Sequence, residues 1–286
     1  MKLRTYKPLW GMTGTLEQQF RQIAEGGYEG VETGLPTPEN EPEFRDLLRK
    51  YKLDYVPMVF TAGKNWREHL ESFRAQLKRA VMFEPLIVNV HSGRDWFKPE
   101  DQISYFEQAL SIGRVVEDFH GIPVLHETHR TRMLYTPRET GVLLRKFPEL
   151  KITSDFSHWT VVCESMLDDQ QDDLLLACRR TWHIHGRVGY EEGPQVPDPR
   201  APEFKKYVEK HEQWWDITVA TQRAMGREIM TFTPEFGPPN YLHALPYSKQ
   251  PLGDLWDICK YMNVRFRKRF EGAEMVARWT DSNKKS

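Results

Sequence analysis

Cysteine is scarce: Cys163, Cys178 and Cys259 are the only three in 286 residues, and none stands at a CxxC spacing. An odd, scattered set cannot build a disulfide framework or a structural zinc site, and it fits a reducing compartment. No apolar run approaches the roughly 20 residues that a membrane span requires. Met1-Lys2-Leu3-Arg4-Thr5-Tyr6-Lys7 lacks an apolar core of signal-peptide length. The expected location is therefore cytoplasmic, with no membrane partner. Net charge is also nearly absent, since 41 acidic side chains against 40 basic ones leave a formal charge of -1. That excludes a nucleic-acid surface spread over the whole molecule. No glycine-rich phosphate or dinucleotide fingerprint follows any strand-sized run, which weakens an open, doubly wound sheet.

What the chain does have is repetition. Strand-sized apolar runs near 3–10, 30–33, 54–60, 86–91, 122–127, 151–155, 181–185 and 229–235 alternate with segments of helical spacing. Phe44, Leu47, Leu48 and Tyr51 share one helical face, Gly26-Gly27 and Gly121 stop helices, and Pro137 opens one. Later helices are expected over about 166–179, 204–224 and 252–270. Eight such units without a hairpin signature predict the α/β class and a single (β/α)8 TIM barrel over residues 1–275, with a tail over 276–286. Residues 186–202, rich in glycine and proline, are expected to form an irregular lid or substrate loop.

Four polar residues close four successive runs: Glu127, Asp155, His185 and Glu235. In a parallel barrel every carboxyl end opens on one rim, so these residues would converge there. Three carboxylates and an imidazole suit a hard divalent cation, manganese foremost, with magnesium, cobalt or zinc as alternatives. Each residue alone has a plainer reading. Glu127 could pair with Arg130 or Arg132, Asp155 could cap a turn, and His185 could be a core histidine. What singles them out is the same place in consecutive units. His183 has the parity of His185, and parity does not choose which of them binds metal.

His91 ends the fourth run and His158 follows Asp155 by three residues, so both are candidates to line the site. Arg94, Arg130, Arg132 and Arg187 lie just past strand ends, where they would clamp a substrate or neutralise acids. Trp10, Phe60, Trp96, Trp159 and Phe236 would wall a sugar pocket or plug the barrel top. Glu32 would contact substrate or balance an arginine.

His126-Glu127-Thr128-His129, Ser154-Asp155-Phe156-Ser157-His158, His183-Ile184-His185 and Pro234-Glu235-Phe236-Gly237, with Val90-His91-Ser92-Gly93, resemble in order the motifs of the xylose-isomerase-like barrels. The resemblance spans about residues 3 to 270. It implies that Glu127, Asp155, His185 and Glu235 hold one divalent cation, that His158 contacts substrate, and that the two glutamates move a proton next to a carbonyl. Two departures narrow it. The extra histidines of the DNA-repair branch are missing: Asp198-Pro199-Arg200 and Val59-Phe60 stand at those places. The residues six beyond Glu127 and His185 are Met133 and Glu191, rather than the glutamate and arginine usual in ketose epimerases.

His129-Arg130-Thr131-Arg132 would then supply substrate contacts, together with Arg187, Trp10 and Trp159. The expected function is a metal-dependent sugar or cyclitol isomerase or epimerase. A lyase or dehydratase acting on an inosose or oxidised glycoside is one alternative, and a non-catalytic sugar-binding protein or subunit is another. The expected partner is a small carbohydrate, with no nucleic acid and with homo-oligomerisation left open.

Overall fold

In the computed structural model, residues 1–271 are described; the expected tail and the boundary at 275 lie outside them. Eight parallel strands close on themselves in sequence order. They are β1 (Lys2–Pro8), β2 (Gly30–Gly34), β3 (Asp54–Phe60), β4 (Val88–His91), β5 (Val124–Glu127), β6 (Ile152–Ser154), β7 (Thr181–His185) and β8 (Ile229–Thr233). Closure is made by β1 against β8, with Leu3 opposite Met230 and Thr5 opposite Phe232. The helices are α1 (Leu16–Glu25), α2 (Glu41–Tyr51), α3 (Trp66–Ala80), α4 (Pro99–His120), α5 (Pro137–Lys146), α6 (Ser157–Cys163), α7 (Gln171–Arg180), α8 (Lys205–Ala224) and α9 (Leu255–Phe270). The single (β/α)8 barrel expected from the alternation is the observed fold. None of these helices is long and apolar enough to cross a membrane.

Local chemistry sets the element ends. Thr15 and Gln18 form a reciprocal capping box at α1, Asn65 and Thr136 cap α3 and α5, and Gly121 ends α4 at φ 68°. Strand alternation then divides the side chains. Val31, Tyr55, Val90 and Val124 pack outward against helices, whereas Tyr6, Val56 and Leu125 fill the barrel interior with Ile87. Glu32 and Asn89 share the inward face of their strands, as their contacts to Glu127 and the β7 histidines require. The register of β6 on β7 shifts so that Trp182 is an extra residue between Thr181 and His183. Such a bulge increases local twist at the amino-terminal end of β7.

Residues 186–202 are irregular, as expected, but they are not a lid. Val188 and Val196 are buried in the core and joined by a backbone hydrogen bond of 2.9 Å. Gln195 exchanges two hydrogen bonds with the Gly237 backbone, at 2.7 and 3.1 Å. The segment braces the end of β8.

Candidate metal centre and substrate pocket

Glu127 ends β5, Asp155 follows β6, His185 ends β7 and Glu235 lies two residues past β8. One ligand atom from each lies within 4.8 Å of all the others, and all four residues are buried. His185 Nδ1 is 3.1 Å from Glu235 Oε2 and 3.6 Å from Glu127 Oε1. Asp155 is aimed by its neighbours: Ser157 donates to Oδ1 through its amide at 3.1 Å and through its hydroxyl, and Thr128 Oγ1 accepts from the Asp155 amide at 2.8 Å. Across the site, Arg187 binds Asp155 Oδ2 at 2.7 Å and Glu235 Oε2 at 2.6 Å.

The residues fit a cation on an independent ground. His185 Nδ1 and Glu127 Oε1 are buried and, although His185 Nδ1 approaches Glu127 Oε1 and Glu235 Oε2 as an ion pair, neither has a well-aligned hydrogen bond among the described residues. A buried polar atom left unpaired costs about 1–3 kcal/mol, and a shared divalent ion would satisfy both. Charge agrees, since Glu32, Glu127, Asp155 and Glu235 outnumber Arg187. Burial opposes a charge on His185, but Glu235, Glu32 and Glu127 overcome it and raise its pKa well above the ordinary value. Burial pushes Asp155 up to about 6, with Arg187 opposing and Glu235 reinforcing. For Glu127, burial is outweighed by His91 and His185, which hold its carboxyl well below the usual range.

Above this floor opens a cavity of about 500 Å³ lined in part by Trp10, Phe60, His91, His129, Arg187 and Tyr241. His91 Nε2 lies 2.8 Å from Glu127 Oε2. His158 is wholly buried, with Nε2 3.5 Å from Asp155 Oδ2, and its ring centroid is 3.9 Å from that of His129. Burial first, then His129 and Arg187, keeps His158 neutral. Trp10 stands edge-on to Tyr241 and Arg130 lies over the Tyr241 ring.

Several expectations need correction. Trp159 is not a pocket wall: it is fully buried on α6, packed against Phe156, with its indole N–H donated to Leu134 O at 2.9 Å. Phe236 is likewise core, and Trp96 points to solvent. Arg132 is not among the residues lining the cavity; its Nη1 donates to the carbonyls of Thr61 and Gly93 at 3.0 and 3.1 Å. Arg187 pairs with Asp155 and Glu235 at the floor and also lines the cavity, which fits both the neutralising and the substrate-contact readings. Glu127 pairs with histidines and Asn89 rather than with Arg130 or Arg132. Glu32 balances His183 and His185, not an arginine. His185 presents Nδ1 to the carboxylates, whereas His183 is bonded to Glu32 and Thr231. Asn89 and Tyr241 were not singled out from sequence; Asn89 was visible as a lone amide in the apolar run Val88-Asn89-Val90.

Solved structures share this architecture. The probable 3-DHS dehydratase AsbF of Bacillus anthracis superposes with a TM-score of 0.60 at 17% identity, over 92% of this chain and 98% of that one. The 3-keto-D-glucoside 4-epimerase YcjR of E. coli gives 0.53 at 15%, over 92% and 99%. Endonuclease IV of Thermus thermophilus gives 0.52 at 16%, over 82% and 93%. At these identities the likeness shows the fold alone. No curated protein sequence matches the chain. A family model does: the one described as xylose isomerase-like TIM barrel matches residues 20–214, more than half of the sequence. The chain belongs to the xylose isomerase-like TIM barrel family.

Proposed function

We propose that the protein is an enzyme that binds one divalent cation, manganese by preference, through Glu127, Asp155, His185 and Glu235, and moves a proton beside the carbonyl of a sugar or cyclitol. The observation that carries the reading is the meeting of those four ligand groups within 4.8 Å, with His185 Nδ1 and Glu127 Oε1 lacking an aligned hydrogen bond. A cation held by these four residues would supply Lewis-acid polarisation of the substrate carbonyl, which acidifies the adjacent C–H. Glu127 and Glu235 come from different strand ends, and their carboxylates, the first held by Asn89 and His91 and the second by Arg187, would take and return that proton. Arg187 neutralises Asp155 and Glu235 and keeps them in place. Trp10, Phe60 and Tyr241 supply apolar faces for a ring, and His91 and His129 line the cavity where its hydroxyls would lie, with His158 packed behind His129.

Dehydration on the same floor is a second reading, favoured by His91, whose Nε2 lies 2.8 Å from Glu127 Oε2 at the cavity and would relay the abstracted proton to a leaving hydroxyl. The test is proton exchange in D2O, followed by NMR, over a panel of keto-sugars and inososes with manganese-loaded protein. Exchange is expected for at least one compound, and Glu127→Gln should lower it about 10²–10⁴-fold. Recovery of labelled epimer or isomer supports the first reading and an enone product the second. Absence of exchange and of product over the panel would contradict both.

A further inference from the structure

Glu32 is buried in the middle of β2 and has no part in the proton transfer described above. Its carboxylate nevertheless joins four strands. Oε1 accepts from His185 Nε2 at 2.9 Å and from Asn89 Nδ2 at 3.4 Å. Oε2 accepts from His183 Nε2 at 3.1 Å and from the Thr233 hydroxyl. The same Asn89 amide donates to Glu127 Oε2 at 2.7 Å, so the network reaches a second residue of the proposed metal set.

An ionised carboxylate only accepts hydrogen bonds, so both imidazoles carry their hydrogen on Nε2. His183 is then settled at both ends, since its Nδ1 faces the Thr231 hydroxyl at 2.8 Å. For neutral His185 the consequence is directional: Nδ1 is left as a bare lone pair, and it is Nδ1 that lies among the carboxylates of Glu127 and Glu235. A lone pair turned toward anionic oxygens is unfavourable unless a positive charge, a proton on Nδ1 or the cation that displaces it, stands between them.

We infer that Glu32 is a positioning residue for the metal centre, selecting the Nε2–H tautomer of His185 and fixing its ring, with His183, Thr233 and Asn89 as its tethers. The inference rests on reading Glu127, Asp155, His185 and Glu235 as a one-cation site. A glutamine at position 32 keeps the shape but offers one accepting oxygen, so one imidazole N–H would meet an N–H and turn over.

Manganese and cobalt affinities of wild type and Glu32→Gln, measured by competition with a chelating dye, test it. Loss of about 10–100-fold in affinity is expected, with an altered visible spectrum of the cobalt form. A variant with a lower melting temperature but wild-type affinity and spectrum would reduce Glu32 to a structural residue and overturn the inference. Should Glu32→Gln fail to fold, ¹⁵N NMR of histidine-labelled, zinc-loaded wild type carries the test. Zinc on His185 Nδ1 with hydrogen on Nε2 is expected, and the reverse assignment overturns it. Wild type that takes up no cation defeats the metal-centre reading itself, whereas stoichiometric uptake with unchanged affinity in Glu32→Gln defeats only the role of Glu32.

Discussion

A tryptophan near a strand end can wall a pocket or plug a core, and Trp10 and Trp159 divide between the two. Trp10 is 40% exposed at the cavity mouth, whereas Trp159 has no accessible surface. Trp159→Ala should therefore cost about 3–5 kcal/mol of stability, read from denaturant unfolding, while the Michaelis constant of the folded fraction stays put. A raised Michaelis constant at unchanged stability would return Trp159 to the substrate pocket. The sequence could not separate the two, because each stands just past a strand-sized run. It did mark Glu127, Asp155, His185 and Glu235, each an isolated polar residue at a carboxyl end. The choice between His183 and His185 and the role of Glu32 depended on contacts across the barrel, between positions 151 and 153 residues apart. Alternation along one strand carries no information about them.

At the scale of elements, strands and long helices followed from periodicity, but α6 did not. Ser157-His158-Trp159-Thr160-Val161-Val162-Cys163 is rich in β-branched residues, which are weak helix formers. It is helical because Phe156 and Trp159 pack into the core between β6 and α8, with Trp214 beside them. The expected helix over 166–179 begins only at Gln171. The segment after β7 was rightly expected to be irregular, yet its glycines and prolines serve close packing. A Cβ at Gly186 would meet the Phe232 ring at 2.1 Å and one at Gly189 the Ser157 backbone at 2.8 Å, and at Gly237, which the segment braces, a Cβ would meet the Trp10 ring at 2.1 Å. Gly237→Ala should push the indole from the cavity wall and forfeit about 0.5–1.5 kcal/mol of ring contact, a several-fold rise in Michaelis constant at unchanged metal content. An unchanged constant would show that the Trp10 wall does not touch substrate.

Over the whole molecule, the barrel gathers acids from β2, β5, β6 and β8 into one buried pocket, and the cost of that gathering must be offset. A proton on His185 does so in part: burial disfavours it, but Glu235, Glu32 and Glu127 raise its pKa well above the ordinary value. Coordination through Nδ1 requires that proton to leave, so cation binding near pH 7 should release about one proton. Asp155, at about 6, adds a second release at lower pH, because it is protonated in the free protein there and must ionise to bind. Affinity should therefore fall as pH drops through about 6 and recover above it. Calorimetric titration of the metal-free protein with manganese at pH 7, in buffers of differing ionisation enthalpy, measures stoichiometry and proton release together. One cation per chain with about one proton released, both lost in Asp155→Asn, is the predicted result; no saturable uptake, or uptake that Asp155→Asn leaves intact, would contradict the account.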